Sequence, residues 1–180
     1  MILAIDVGNT STRVGLFRGR RLAQCVVLRT RSAGTPGALA RRLRQTAGHL
    51  RTGGVAIVCS VVPRTTPSVV RAIRQAGFCT VWVVGRDVRV PLKNRYRYPR
   101  QVGQDRLVGA YAAWCRYRTD CIVVDFGTAI TVDVVTRKGE YLGGAIAPGL
   151  ELSLEALASQ TALLPKVRLE APSAVLGRDT

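Results

Sequence analysis

The sequence reads Ile5-Asp6-Val7-Gly8-Asn9-Thr10-Ser11-Thr12 near its start and Val124-Asp125-Phe126-Gly127-Thr128-Ala129-Ile130-Thr131 in its second half. An ungapped overlay matches the two aspartates, the two glycines and the two final threonines, and an apolar run precedes each copy. Each copy is predicted to form a strand, a tight turn and a second strand, because the glycine permits the turn. Self-similarity of this kind indicates two related halves.

Both segments combine groups that suit a metal ion carrying phosphate. The carboxylate can hold the cation, while backbone N–H groups and threonine hydroxyls can hold phosphate oxygens. The alternative is an ordinary hairpin, since Asp-x-Gly after a strand is a short and common pattern. Recurrence of the whole pattern favours two loops that face each other across a cleft and hold both ends of a triphosphate.

Composition is typical of a globular protein of one domain or two small ones. The chain has 180 residues, of which 47% are hydrophobic and 21% charged, and no apolar run approaches the ~20 residues that span a bilayer. The N-terminus lacks the basic region of a signal peptide. Five isolated cysteines are expected to be buried and reduced, and we therefore expect a cytoplasmic location without membrane association. They are Cys25, Cys59, Cys79, Cys115 and Cys121.

The net charge of +16 has two interpretations. Clustered basic residues would indicate a nucleic-acid surface. However, only three of the 27 basic residues are lysines, and the arginines are spread over predicted helices, loops and turns. This spread favours compositional bias together with an anionic ligand, and makes nucleic acid the less favoured partner.

Hydrophobic periodicity predicts strands alternating with helices, which indicates an α/β chain with helices packed on a sheet. Besides the two hairpins, the predicted strands are 22–28, 55–62, 81–84 and 140–146. Helices are predicted after Thr35-Pro36 and Thr66-Pro67, from 105 onward and over 150–159. Segments 86–104 and 161–180 are predicted to be loops.

Two further segments each have a functional and a structural interpretation. Asp105 and Arg106 follow the long loop and precede the second hairpin, so their side chains could face the cleft. On spacing alone, Asp105 is a helix-start carboxylate that satisfies free N–H groups. The glycines between Gly143 and Gly149 would let a flat ligand approach the backbone, or would simply form a tight turn.

Six motifs in series resemble those of the type III pantothenate kinases and cover nearly the whole chain. They are Asp6-Val7-Gly8-Asn9-Thr10, Ser60-Val61-Val62-Pro63, Gly103-Gln104-Asp105-Arg106, Asp125-Phe126-Gly127-Thr128-Ala129-Ile130-Thr131-Val132-Asp133, Gly143-Gly144-Ala145-Ile146-Ala147-Pro148-Gly149 and Gly177-Arg178-Asp179-Thr180. The resemblance implies an α/β fold with ribonuclease H-like duplicated domains of the acetate and sugar kinase/Hsp70/actin type. It places an N-terminal actin-like ATPase domain at 1–104 and a partial C-terminal one at 105–180, since family members continue beyond this point. The second domain is therefore expected to be truncated.

The same resemblance implies a reaction and its cofactors. ATP would phosphorylate pantothenate to 4′-phosphopantothenate, the first step of coenzyme A synthesis, in a homodimer that uses magnesium and a monovalent cation, potassium or ammonium. Asp105 would be the general base, Asp6 would position magnesium and Asp125 would hold the monovalent cation. ATP and its phosphates would contact Asp6, Val7, Gly8, Asn9, Thr10, Ser11, Thr12, Arg13, Gly127 and Thr128. Pantothenate would contact Tyr96, Gly103, Gln104, Asp105, Arg106 and Thr180.

Phosphoryl transfer depends mostly on positioning and on neutralising oxygen charge, so these residue types suffice for the chemistry. Two alternatives stay open at this point. The chain could be a non-enzymatic relative that acts as a nucleic-acid-binding or transcriptional accessory protein, or it could be an inactive truncated remnant.

Overall fold

The first sheet has five strands and is built around the first acidic hairpin. The computed structural model describes residues 1–33, 36–47, 54–171 and 174–176. The strands are β1 (Ile2–Val7), β2 (Ser11–Arg18), β3 (Arg21–Arg29), β4 (Val55–Ser60) and β5 (Thr80–Val83), in the order β3-β2-β1-β4-β5. β2 runs antiparallel to both β1 and β3. β4 runs parallel to β1, and β5 runs parallel to β4.

Helices cover one face of this sheet and form the larger core. They are α1 (Thr30–Ala33), α2 (Pro36–Ala47) and α3 (Thr66–Gln75). Leu39 of α2 and Ile73 of α3 are buried against Leu3, Ile5 and Val7 of β1. Because successive strand residues point to opposite faces, Asp6 lies on the face turned away from these helices.

The second sheet is smaller and contains the second acidic hairpin. Its strands are β6 (Lys93–Asn94), β7 (Cys121–Phe126), β8 (Ala129–Val135) and β9 (Glu140–Pro148), in the order β6-β9-β8-β7. Two further helices are α4 (Gln104–Tyr117) and α5 (Leu150–Gln160). Leu107 and Ala110 of α4 pack with Val135 and Tyr141 in a second core.

Helix α4 lies between the two sheets. One side of it packs on β7 and β8, and it also contacts β4. Val108 and Tyr111 of α4 face Ala4 and Cys59 of the first sheet across a cavity of about 530 Å³. The first residues of α4 are thereby held beside the ends of both acidic hairpins. No described helix is long and apolar enough to cross a membrane.

The two hairpins are equivalent, but the ungapped overlay of their sequences is wrong beyond the turns. Asp6 pairs with Arg13 across the first hairpin, whereas Asp125 pairs with Thr131 across the second. The first turn therefore contains one residue more than the second. As a result, Arg13 rather than Thr12 is the structural counterpart of Thr131.

The predicted elements are present, with several boundaries shifted. The segment 86–104 is not wholly irregular, since it contains the two-residue strand β6 and a 3₁₀ helix at Pro99–Gln101. The strand predicted over 55–62 ends at Ser60 and the strand predicted over 140–146 extends to Pro148. Thr66 does not cap α3, because its hydroxyl donates to Ser60 Oγ and the Val62 carbonyl. Thr35 and the predicted extension of α2 to Leu50 lie outside the described residues.

The prediction that all five cysteines are buried is wrong. Only Cys59 is buried and Cys121 is partly buried, whereas Cys25, Cys79 and Cys115 are exposed. All five are free thiols. Cys25 lies on β3 at the edge of the first sheet, and the apolar runs that surround such residues in sequence do not report which strand is at an edge.

The glycines of the β9–α5 junction are needed because other parts of the protein pack directly against their backbone. A Cβ atom at Gly144 would overlap the Val132 carbonyl, and one at Gly149 would overlap the carbonyl oxygens of Gly127 and Thr128. Gly143 has φ +111° and lies against the Tyr96 ring. The glycines thus let β9 and α5 approach the second turn closely.

Gly149→Ala is expected to destabilise the fold by roughly 1–3 kcal/mol, because the added methyl must displace the second turn. The Gly149 N–H also donates to the Thr128 carbonyl at 2.9 Å, which ties α5 to that turn. Gly109→Ala in α4 is the matched control, since a Cβ there meets nothing within 4 Å. The control should be neutral or stabilising by up to about 1 kcal/mol. Urea unfolding measures both, and equal stability of the two variants would contradict the packing argument.

Candidate active site

Four carboxylates line one cavity of about 440 Å³, and three of them, from three different elements, are the acids that the sequence singled out. Asp6 comes from β1, Asp105 from the first turn of α4 and Asp125 from β7. Asp6 and Asp125 reach the cavity because each precedes its turn by two residues, on the strand face that α4 covers. The three acids that the sequence singled out are therefore brought together by α4.

The acids of the cavity lie close enough to affect one another. Burial raises the pKa of the Asp6 carboxyl, Arg13 opposes this shift, and the negative charges of Asp105 and Asp125 add to it. Arg13 Nη1 lies 3.6 Å from Asp6 Oδ2, and both side chains are about half exposed. With Asp133 and Arg106, the lining holds four carboxylates and two guanidinium groups, so the cavity has an excess of negative charge.

This charge fits a cation that is held partly by other ligands. Among the described residues, no three His, Cys, Asp or Glu side chains converge closely enough to form a complete metal cage. Magnesium is commonly held by one or two carboxylates together with waters and phosphate oxygens. Isolated carboxylates around an open cavity match that mode of binding.

The two turns meet directly beside this cavity. Thr10 Oγ1 lies 2.8 Å from Thr128 Oγ1, which is a hydrogen bond between equivalent positions of the two hairpins. Thr10, Ser11, Gly127 and Thr128 line a neighbouring cavity of about 510 Å³ that also borders the start of α5. Hydroxyl groups from both halves therefore face a common space.

The turn glycines use their own N–H groups to close the turns. Gly8 N–H donates to the Ser11 carbonyl at 3.0 Å, and Gly127 N–H donates to the Ala129 carbonyl at 3.1 Å. These two donors are therefore not directed at a ligand, contrary to the expectation of bare turn amides. The hydroxyls of Thr10, Ser11 and Thr128 are the polar groups that the turns present to the cavity.

Thr12 and Val7 support the first turn from the core side. Both side chains are fully buried, and Thr12 Oγ1 lies 3.1 Å from Thr30 Oγ1. The Thr30 hydroxyl donates to the Gly8 carbonyl at 2.6 Å. The prediction that the Thr12 hydroxyl contacts phosphate directly is therefore wrong, because the longer first turn directs this side chain into the core. Thr30 had no signal in the sequence, since its partners are 18 and 22 residues away.

The start of α4 combines both interpretations of Asp105. Its Oδ1 accepts the Arg106 N–H at 2.8 Å, as expected of a helix-start carboxylate, and the exposed carboxyl also faces the acidic cavity. Gly103 is the N-cap residue of α4, and Gln104 packs against Gly85 beyond β5. Thr180 lies outside the described residues.

A buried ion pair fixes the start of α4 to the second sheet. Arg106 Nε donates to Asp133 Oδ1 at 2.9 Å, and Arg106 Nη2 lies 2.7 Å from the same oxygen. The two side chains are only 9% and 3% exposed. The Tyr141 hydroxyl donates to Asp133 Oδ1 at 2.6 Å. Arg106 is thus anchored on β8 rather than free in solvent.

The pKa shifts in this network follow from burial and from Asp133. Burial lowers the pKa of Arg106, but the hydrogen bond and charge of Asp133 outweigh this effect. The pKa is therefore raised overall, and the guanidinium stays charged. Burial and the Asp133 bond raise the pKa of Tyr141, so its hydroxyl keeps its proton. Arg106 Nη2 is buried and lies 2.7 Å from Asp133 Oδ1, within ion-pair distance but outside hydrogen-bond geometry, so its contact with Asp133 is electrostatic.

Cys59 lies at the cavity wall but is not a nucleophile. Burial raises the pKa of its thiol to about 12, and the charges of Asp6 and Asp105 add to the shift. The thiol is therefore neutral at physiological pH, and only the thiolate attacks efficiently. The cavity contains acids and hydroxyls rather than an activated cysteine.

Asp133→Ala is expected to cost about 3–5 kcal/mol of stability, because it leaves the Arg106 charge buried without a partner. Glu140→Ala is the control, since it breaks ion pairs with Arg95 at 2.8 Å and Lys93 at 3.6 Å whose cations are about half exposed or more. The control should cost no more than about 1 kcal/mol. Denaturant unfolding of both variants measures the difference, and similar losses would show that burial does not govern the pair.

Asp6→Asn is expected to raise the melting temperature of the ligand-free protein at neutral pH. The folded-state pKa of Asp6 is raised, so its charged form destabilises the fold above that pKa and the penalty disappears as the pH falls through it. The rise should be small, on the order of 2 °C, because the side chain is partly exposed.

Asp87→Asn is the matched control with the opposite sign. Hydrogen bonds from Arg86 and the Val83 N–H lower the pKa of Asp87 to about 2. This substitution should lower the melting temperature at neutral pH, and the loss should shrink as the pH falls toward that value. A pH series of thermal melts tests both, and shifts of the same sign would contradict the assignment.

The chain is similar to known proteins along its length. The family model described as type III pantothenate kinase matches residues 2–180 of the chain. The type III pantothenate kinase of Geobacter sulfurreducens is 43% identical over 184 residues, covering all of this chain and 72% of the relative. The type III pantothenate kinase of Syntrophotalea carbinolica is 41% identical over 187 residues with the same coverage.

A solved structure supports the fold. A chain of the PilM-PilN type IV pilus biogenesis complex superposes with a TM-score of 0.50 at 14% identity, covering 88% of this chain and 65% of that one. The predicted α/β fold of the acetate and sugar kinase/Hsp70/actin type is confirmed. With its whole length matched by the family model and by relatives above 40% identity, the chain belongs to the type III pantothenate kinase family.

Proposed function

We propose that the chain transfers the γ-phosphoryl group of ATP to the primary hydroxyl of pantothenate, giving 4′-phosphopantothenate for coenzyme A synthesis. The relatives named above are type III pantothenate kinases. The observation that carries the proposal is the meeting of Asp6, Asp105 and Asp125 at one cavity, next to the joined turns. An acceptor alcohol, a base and a metal-bound phosphate need this proximity.

ATP is proposed to lie along the two turns, between domains 1–104 and 105–180. Thr10, Ser11 and Thr128 supply hydroxyls to that space. Gly8, Asn9 and Gly127 shape the turns, and Arg13 lies beside Asp6, where it can neutralise phosphate charge. Val7 and Thr12 hold the first turn in place from the core.

Asp6 is proposed to position magnesium and Asp125 the monovalent cation, potassium or ammonium. Their support is the excess negative charge of the cavity, since hard cations prefer carboxylate oxygens. When bound, magnesium neutralises the charge that develops on the phosphate oxygens. The protein's own part is to hold the two carboxylates on opposite hairpins, so that each faces the phosphates from one side.

Asp105 is proposed to be the general base. Its exposed carboxyl can accept the proton of the pantothenate hydroxyl as that oxygen bonds to the γ-phosphorus. The bond between the γ-phosphorus and the bridging oxygen breaks, and ADP leaves with the electron pair. No covalent enzyme intermediate is needed.

Pantothenate is proposed to bind next to Asp105 and the second core. Arg106 lines the same cavity as Asp105, where its positive charge can attract the carboxylate of the substrate. Tyr96 packs over Gly143 in the same region, and Gly103 and Gln104 form the start of α4. Thr180 stays a proposed contact on the family resemblance alone. We also propose a homodimer located in the cytoplasm.

Asp105→Asn is expected to reduce turnover by roughly 10²–10⁴-fold, because the amide cannot accept the proton. ATP binding should be largely unchanged. A coupled assay of ADP formation with pantothenate, with and without potassium, measures turnover, and nucleotide-dependent thermal stabilisation measures binding.

Asp120→Asn is the control for this experiment. Asp120 carries the same charge but bonds the Arg137 N–H outside the acidic cavity. Turnover of the control should match the wild type. Equal rates for Asp105→Asn and the wild type would reject Asp105 as the base, and absence of pantothenate-dependent ADP formation in the wild type would reject the proposed reaction.

A further inference from the structure

The positive charge of the chain is concentrated in its first half. Residues 1–86 contain fourteen arginines and a single acidic residue, Asp6, whereas residues 87–180 contain thirteen basic and ten acidic residues. The first part therefore carries +13 of the total +16. Uniform compositional bias does not explain this contrast, because acids are abundant in one half and nearly absent from the other. Such asymmetry is typical of chains that bind nucleic acids or membranes.

The structure places five of these arginines on one surface, which we call the α2–α3 face. Leu39 and Leu43 of α2 and Val69 and Ile73 of α3 are buried on the sheet, so the residues between them point away from it. The exposed arginines on this outer side are Arg41, Arg42, Arg44, Arg71 and Arg74. Helices α2 and α3 pack side by side, so their arginines form one surface.

These guanidinium groups lack ion-pair partners among the described residues, although Arg74 is near enough to help lower the pKa of Asp87. None of the five forms an ion pair with an acid in the described parts of the chain. Arg71 and Arg74 are three residues apart on α3, and like charges at this spacing destabilise a helix by a few tenths of a kcal/mol. An external anion would remove this repulsion.

A groove continues the α2–α3 face toward the end of β5. It has a volume of about 870 Å³, and its lining combines Arg71, Arg74 and Arg86 with polar and small apolar residues, Ser60, Thr66, Gln75, Pro63, Pro67, Val70 and Val83. None of its lining residues is acidic. Arg86 forms an ion pair with Asp87 at 2.7 Å. Arg71 and Arg74 are therefore the cations of the groove that form no ion pair in the described parts of the chain.

The composition of the α2–α3 face favours phosphate over the other anionic partners. Apart from Pro67 at the start of α3, its outward-facing described side chains are arginine and glutamine, with no aromatic or large aliphatic residue that would insert into a membrane or anchor a protein interface. Arginine also binds phosphate oxygens in a bidentate manner, whereas lysine acts as a point charge.

We infer that the α2–α3 face binds the phosphate backbone of double-stranded nucleic acid. The contacts are sequence-independent, because arginines on the outside of two helices packed flat on a sheet reach backbone phosphates without entering a groove. This face lies on the opposite side of the first sheet from Asp6. The inference therefore does not depend on the proposed kinase reaction.

The test uses the full chain and a short duplex DNA of mixed sequence, with binding followed by fluorescence anisotropy over a series of salt concentrations. The logarithm of the binding constant should fall linearly with the logarithm of the salt concentration. Arg71→Gln/Arg74→Gln should weaken binding and make the slope shallower by about 1.8, because two phosphate contacts are lost. Its circular dichroism spectrum and cooperative thermal melt should match those of the wild type, which shows that it folds.

Arg137→Gln/Lys138→Gln is the matched control. It removes the same charge from the turn between β8 and β9, far from α2 and α3 in the fold. Its affinity and slope should remain near those of the wild type.

Three results would overturn the inference. One is an absence of duplex binding at low salt. Another is an equal loss of duplex affinity in the two double variants, which would show that binding depends only on the net charge of the protein. The third is binding to phosphatidylserine vesicles without binding to the duplex, which would assign the face to a membrane surface.

Discussion

The buried pair between Arg106 and Asp133 is the contact on which the site depends. Both charges are removed from water, at 9% and 3% exposure, so each needs the other. The pair joins the first turn of α4 to β8, and α4 itself lies between the two sheets. Asp105 is adjacent to Arg106 in sequence, so its position relative to both acidic hairpins is set by this anchor. A carboxylate on an exposed loop would not be held with comparable accuracy.

Much of this architecture was predictable from local patterns. The repeated segment correctly indicated two equivalent hairpins, and period-2 alternation in β1 put Asp6 on the face opposite Leu3, Ile5 and Val7. The convergence of three acids followed from the family motifs and is matched by the cavity that they line. These features depend on short-range sequence, which is why they could be predicted without coordinates.

The features that escaped prediction depend on contacts between distant residues. The extra residue of the first turn is invisible in an ungapped overlay, and it directs Thr12 inward to Thr30. Asp133 is a charged residue at a buried strand position, and its partner Arg106 is 27 residues away. The closure of the turns by their own glycine N–H groups depends on turn geometry rather than on residue type. Burial of the cysteines was overestimated because apolar neighbours in sequence do not show which strand lies at an edge.

The unequal length of the two turns has a consequence for the shape of the cleft between them. Thr10 and Thr128 face each other as matched partners, yet only the first hairpin carries the additional residue, Asn9. An amide side chain on one rim only makes the two sides of the cleft chemically different. The approximate symmetry of the two hairpins therefore does not extend to the surface that they offer.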